Sequence, residues 1–398
     1  MSFRINLTQF NMFKQVFNKI SFIKFLIILV FIVTTATKLF AQIKTFRTYT
    51  PLKAKDAGKL FFHVESTAFL KNNEYFSQFA YGYTGIGIYF KPTLDYYFSN
   101  KLAINAGVYM LKYAGLDNLT QAIPVFTIRY KPAKTFDIIM GNIYGTSNHR
   151  LAEPLFRYDL FYQHHIEYGL QFLWNTKHFK TDLWLNWRHF IQLGDTMQEK
   201  LTVGSSSSVI LYDNKSIKVV IPVQLLINHQ GGQLAPPPRP GTTTIINGYI
   251  GTDISFQLNE SWYMDISENL ALYDGLSFPS EGLGSLPAKK GWGSYSKVVV
   301  GWKSLHWLSG YWHGENFIAP LGETQFQSIS EIDPLVYQRN RNLITGKLWY
   351  NKTIMKGAVI EARFETYYDI DNRHFDYSYG LWLRINSSFF LTKSKAAK

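Results

Sequence analysis

The chain contains no cysteine, so whatever holds it together is not a disulfide framework. Its first 42 residues hold no Asp or Glu, although Arg4, Lys14, Lys19 and Lys24 accompany an apolar run from Phe25 to Ala36. Downstream of that run no apolar stretch is long enough for a membrane helix, so any crossing of a bilayer must be made by strands. Basic residues are spread over alternating positions and form no helical face or RNA-binding motif, which argues against nucleic acid as a partner.

What is present begins with an export signal. The Phe25–Ala36 run is short for a membrane helix, and Leu39 to Gln42 offers a small-residue cleavage site near Ala41 or Gln42. The expected organisation is a removed signal peptide over 1–42, a periplasmic lead-in over 43–57, a membrane domain over 58–391 and a basic C-terminal tail over 392–398. The leader carries five of the 41 basic residues, so the mature chain keeps 36 against 28 acidic, a net charge of +8.

Alternation of period two is clearest from Glu167 to Gln192. Tyr168, Leu170, Phe172 and Trp174 share one side of the first arm, opposite Glu167, Gly169 and Gln171. Phe179, Leu183, Leu185 and Trp187 oppose Lys180, Asp182, Asn186 and Arg188 in the second; Leu173 and Trp184 break the rule. A short polar turn separates the arms, making an antiparallel hairpin. The same two-faced pattern recurs at Phe90–Phe98, Ile360–Glu365 and Asp376–Asn386. A lipid-side charge near the bilayer midplane costs on the order of 2–4 kcal/mol, so the charged faces must look onto water.

Short polar connections near Ser99–Lys101, Pro132–Lys134, Asn175–His178, Asp213–Lys215, Asn259–Ser261, Lys303–Ser304 and Asn351–Thr353 alternate with eight long loops. The expected fold is all-β: a transmembrane antiparallel up-and-down β-barrel of about 16 strands, with short periplasmic turns and long extracellular loops. This architecture resembles that of bacterial outer-membrane porins over the whole mature chain, although Phe389–Leu391 is followed by a basic tail where such barrels usually end on an aromatic. The resemblance implies a bacterial outer-membrane location and passive diffusion of small hydrophilic solutes, and the net charge of +8 favours anions among them. It also implies outer-membrane lipid, lipopolysaccharide and the barrel-assembly machinery as partners, with homo-oligomerisation left open. Neither cofactor nor metal is expected.

The residues expected to line the pore are Lys91, Asp95, Arg129, Glu167, Lys180, Asp182, Arg188, Lys218, Asp253, Asp265, Glu361, Arg363, Glu365 and Arg384. The loop from Tyr144 to His164 resembles the inward-folded loop of general porins, which implies a constriction formed by His149, Arg150, Glu153, Arg157 and Asp159. Two rival readings exist. A barrel plugged by its own loops, serving a structural or partner-binding role, would fill its interior with aromatics such as Trp184, Trp349 and Trp382. A lipid hydrolase of the membrane rim would use a Ser and a His, for which Ser147 and His149 are close enough in sequence. No orienting acid or oxyanion donor is legible beside them, so the chain is expected not to be an enzyme. His164–His165 and His306 with His313 read as aqueous or interfacial histidines, and Glu361–Arg363–Glu365 as alternating signs in a polar lumen. The segments 204–208 and 230–241 read as exposed loop or strand-end backbone.

Overall fold

The computed structural model describes residues 47–195, 197–232, 241–279 and 285–393. The signal peptide, the start of the lead-in, most of the proline-rich 230–241 segment and the tail from residue 394 lie outside the described residues. Sixteen antiparallel strands close into one barrel, each pairing with its neighbours in sequence and β1 (Lys59–Glu74) sealing against β16 (His374–Lys393). Closure leaves no sheet edge unpaired, so the ring secures the chain without a crosslink.

Between these two strands run β2 (Tyr83–Tyr97), β3 (Leu102–Tyr113), β4 (Gln121–Ala133), β5 (Phe136–Asn142), β6 (Tyr168–Asn175), β7 (Phe179–His189) and β8 (Glu199–Asp213). The second half holds β9 (Ile217–Gly231), β10 (Thr243–Gln257), β11 (Trp262–Ser277), β12 (Lys290–Trp302), β13 (Leu305–Glu315), β14 (Asn340–Met355) and β15 (Ala358–Asp369). Side-chain acceptors close several of the short turns. Asn214 Oδ1 accepts the amides of Ser216 and Ile217 at 2.8 and 2.7 Å, and Asn259 Oδ1 those of Ser261 and Trp262 at 2.9 and 3.0 Å. One turn differs from expectation. Asn351–Thr353 lies within β14, and the chain reverses at Lys356–Gly357, where Gly357 adopts φ +82°. The polar triplet simply continues the strand toward water.

Hydrophobic side chains on the outer wall, such as Ile88 and Phe90 on β2 or Leu381, Leu383 and Ile385 on β16, are exposed, as a hydrocarbon-facing belt requires. The exterior is thus that of a barrel built to cross a membrane with its strands.

Its interior is filled by two loops. Residues 143–167, between β5 and β6, contribute Leu151, Leu155, Phe156, Leu160, Phe161 and Tyr162; residues 316–339, between β13 and β14, contribute Phe317, Ile318, Leu321 and Phe326. Every strand except β8 supplies an inward side chain to the three clusters these loops build. Trp184, Trp349 and Trp382 are all inward and buried. The two breaks in the Glu167–Gln192 pattern are therefore plug contacts: Leu173 joins a cluster, and Trp184 stacks on His149 with ring centroids 3.6 Å apart.

Candidate active site on the lipid-facing wall

The sequence-selected charges face the interior, where most are held by partners. Glu365 accepts Lys71 at 2.8 Å and Lys347 at 2.7 Å, while Arg363 donates to Glu361 at 2.5 Å. Lys91 pairs with Glu65 at 2.7 Å, and Lys218 lies 3.7 Å from Asp213. Arg129 donates to the Thr50 carbonyl and Arg384 to that of Arg47, tying the lead-in into the periplasmic end. Asp95 lines a small cavity there; Lys180 and Asp182 line a larger one, Asp253 and Asp265 a third, and Arg188 a fourth behind Trp184.

Within the 143–167 loop, Glu153 pairs with Lys347, Arg157 with Glu331 at 2.6 Å, and Asp159 accepts Asn73 at 2.9 Å. Arg150 borders two cavities. His149 is buried with Nδ1 2.9 Å from Asp182 and Nε2 3.4 Å from Glu167. Burial alone would lower its pKa, but the two carboxylates outweigh it and hold the imidazole up to about 9. Burial likewise opposes the charge on Glu167, yet His149 keeps that carboxyl below its usual range. In the 316–339 loop, burial and then the charge of Asp159 push Glu323 up to about 7.

Ser147 and His149 consequently do not form a rim site. Ser147 borders an interior cavity and His149 is enclosed by the plug, so neither meets lipid. The histidine pairs also separate: His165 is buried against Glu65 while His164 is exposed, and His306 points inward to Tyr263 while His313 points outward. Among the described residues no group of three or more His, Asp or Glu side chains is arranged to hold a metal ion.

The outer wall of β11 to β14 breaks the hydrophobic belt. Alternation on β13 places Leu305, Trp307, Ser309, Tyr311 and His313 outward, between the buried His306, Leu308, Gly310, Trp312 and Gly314. By the same rule Trp292, Ser294 and Ser296 of β12, Glu268 of β11 and Asn342 of β14 face outward. The register sets Ser294 opposite His313, and His313 opposite Asn342, one row across three strands near their extracellular ends.

Hydrogen bonds fix the polarity of that row. Asp371, in the loop after β15, accepts both the backbone N–H and the side-chain Nδ2 of Asn342, all at 3.0–3.1 Å. The amide oxygen of Asn342 must then point the other way, where it accepts Tyr311 Oη–H at 2.9 Å and His313 Nδ1–H at 2.8 Å. An amide oxygen can only accept, so the proton of a neutral His313 sits on Nδ1 and its Nε2 carries a lone pair. Trp292 packs edge-on to the imidazole at 5.3 Å. Ser296 Oγ–H is committed to Glu268, whereas among the described residues Ser294 Oγ makes no hydrogen bond.

Beside the row runs an open groove of about 740 Å³. Leu225, Ile246, Leu270 and Leu272 form its apolar walls, and Trp292, Asp274, Lys290 and Glu315 stand at its extracellular end. Gly248 provides the floor, where a Cβ would meet nothing closer than Leu272 at 3.6 Å. An apolar trough on the outside of a membrane barrel, headed by charged and aromatic groups at the rim, matches the shape of an acylated amphiphile.

A family model described as lipid A 3'-O-deacylase-type matches residues 52–394, essentially the whole barrel. The chain belongs to the lipid A 3'-O-deacylase-type family. That family carries the description of an enzyme, which corrects the expectation of a barrel without enzymatic activity. Among solved structures, the lipid A 3'-O-deacylase-type barrel is similar to a loop-L8 deletion mutant of OmpT, an outer membrane protein of Vibrio cholerae. The TM-score is 0.51 at 12% identity, over 83% of this chain and 100% of that one. It is also similar to the outer membrane protein OprD from Pseudomonas aeruginosa, with a TM-score of 0.50 at 8% identity over 86% and 98%. At such identities these likenesses bear on the fold alone. No curated protein matches the chain.

The sequence carries a signal for this row. Polar residues at outward positions of a largely apolar belt, among them Glu268, Ser294, Ser296 and His313, are exceptions of the kind a lipid-facing site requires. Asp371 and Asn342 could not be linked to them before the register was known.

Proposed function

We propose that the protein is an outer-membrane ester hydrolase that removes a fatty acyl chain from a lipid A-type glycolipid of the outer leaflet. Family membership supports the reaction class and substrate. The observation that carries the reading to particular residues is the outward His313, oriented by Asn342 and Asp371 and set opposite Ser294 beside an apolar groove.

The chemistry follows from the assigned tautomer. The acyl chain lies in the groove with its ester near Ser294. His313 Nε2 takes the Ser294 hydroxyl proton as Oγ attacks the ester carbonyl carbon. The C–O bond to the sugar or hydroxyacyl oxygen breaks, and His313 returns the proton to that leaving oxygen. Water then attacks the acyl-serine with Nε2 accepting its proton; the fatty acid departs and Ser294 Oγ is reprotonated. Asn342, anchored by Asp371, is a positioning residue that holds Nδ1–H and keeps Nε2 available, the role an amide takes beside a catalytic imidazole elsewhere.

The passive-channel reading has the interior against it, because two loops pack into the lumen from opposite sides and engage all but one strand. Fatty-acid release from lipid A in mixed micelles, read by mass spectrometry, tests the hydrolase. Ser294→Ala and His313→Ala should each lower the rate by about 10²–10⁴-fold, the usual worth of a general base or its nucleophile. Ser147→Ala should leave the rate unchanged. Full activity in Ser294→Ala would remove Ser294 from the mechanism, and no release by the unaltered protein would reject the function.

A further inference from the structure

A second site lies at the other end of the molecule and faces the periplasm. A cavity of about 560 Å³ opens beside the short turns, bordered by the lead-in, by β4 to β8 and by the tip of the 143–167 loop. That volume falls in the range that holds a metabolite-sized ligand, roughly 300–1,000 Å³. Besides the His149 imidazolium, five of its lining side chains are cationic: Arg47, Lys131, Lys134, Arg150 and Lys180. Its two carboxylates are already engaged. Asp137 takes Lys131 at 2.7 Å and the Tyr49 hydroxyl at 3.2 Å. Asp182 takes His149 and Gln171, each at 2.9 Å.

Among the described residues Arg47, Lys134 and Arg150 have no ion-pair partner. Lys134 and Arg150 are exposed at this cavity and Arg47 is half-buried, so an anion that enters meets three cations not already paired with a carboxylate. Burial, and then the charge of Arg150, bring the Arg47 guanidinium down to about 10. The hydroxyls of Ser206 and Ser208 add neutral donors to the wall. Two planar guanidinium forks, an ammonium and two hydroxyls are the complement of a tetrahedral, multiply charged oxyanion.

We propose that this periplasmic cavity binds a phosphoryl group, with Arg47 and Arg150 as its principal clamps and Lys134 as a third charge. The phosphoryl group belongs to a small solute or to an anionic lipid headgroup of the inner leaflet, both of which reach this end of the barrel. The site is separate from the outer-wall row, which lies near the extracellular strand ends, so its occupancy does not depend on the hydrolase reading.

Titration calorimetry of the full barrel folded in zwitterionic detergent, with inorganic phosphate and pyrophosphate at low ionic strength, tests this. Expected is saturable binding weakened at least tenfold in Arg150→Gln and Arg47→Gln and less in Lys134→Gln. Arg339→Gln, at the extracellular end, should bind as the unaltered protein does. Neither Arg47 nor Arg150 makes an ion pair through its side chain among the described residues, and heat-modifiable electrophoretic mobility verifies that each variant is folded. Displacement of pyrophosphate by glycerol phosphate identifies a soluble ligand, and displacement by phosphatidylglycerol nanodiscs but not phosphatidylcholine ones identifies a headgroup. Absence of saturable binding, or equal weakening in Arg339→Gln and Arg150→Gln, would overturn the proposal.

Discussion

His149 shows how a single side chain can tie the plug to the wall. Its imidazolium lies between Asp182 on β7 and Glu167 at the start of β6, with Trp184 stacked on its face. The folded-state pKa of about 9 lies above the ordinary 6.5, so the proton binds more tightly in the folded protein. The stability this contributes is fully present below about pH 6.5 and is lost as pH rises through 9, on the order of 2–3 kcal/mol over that window. The thermal midpoint should therefore fall between pH 6.5 and 9.5 in the unaltered protein and fall less in His149→Gln; parallel profiles would show that the residue is not charged in the fold. In the sequence His149 was legible as a polar loop residue and Trp184 as a break in alternation. Their stacking was not, because it joins residues 35 positions apart whose only link is the barrel's closure. His313 was harder still: nothing local distinguishes an interfacial histidine from one whose tautomer is set by a loop 58 residues away, at Asp371.

At the level of strands, alternation was readable because each side faces a different solvent, and the turn chemistry of Ser, Asn and Lys marked all but one of the short reversals within a few residues. The exception, between β14 and β15, followed from reading Asn351–Thr353 as a turn when the left-handed Gly357 makes it five residues later. The groove was not readable, because it arises from one outward glycine on β10 flanked by leucines on β9 and β11. Gly248 therefore gives a clean test. A new Cβ there would sit 3.6 Å from Leu272, ordinary contact distance, and the side chain would extend into the groove and lipid. Gly248→Trp should leave the barrel folded, with its thermal midpoint unchanged or raised, because an apolar side chain suits that face. Hydrolysis of long-chain lipid A should fall at least tenfold, mainly through KM, while a short-chain ester that does not need the groove should be cleaved at nearly the original rate. Equal loss on both esters would mean the groove is not where the acyl chain lies.

For the whole molecule, the question is what a sixteen-stranded ring does with an interior wide enough to conduct. Lys347 is held by Glu153 of one loop and by Glu365 of the wall; Arg341 is held by Asp369, donates to the Gln325 carbonyl of the other loop and lies over Phe79 at 3.7 Å. Charges of this kind are stable in a dry interior only while every partner remains, since an uncompensated buried charge costs about 3–5 kcal/mol. Replacing residues 146–163 with a short Gly-Ser link would strip Glu153 from Lys347 and His149 from Glu167 and Asp182, and water would have to enter to solvate them. The ring itself would persist, because the ladder from β1 around to β16 does not pass through that loop. In planar bilayers the unaltered protein should therefore give no steady conductance, and the deletion variant should give discrete, long-lived channel steps. Porin-like steps in the unaltered protein would mean the loops leave the lumen in the membrane and would restore diffusion as a function. A silent deletion variant would place the seal in the 316–339 loop alone, the one that holds Phe317 and Phe326 against β10 to β15.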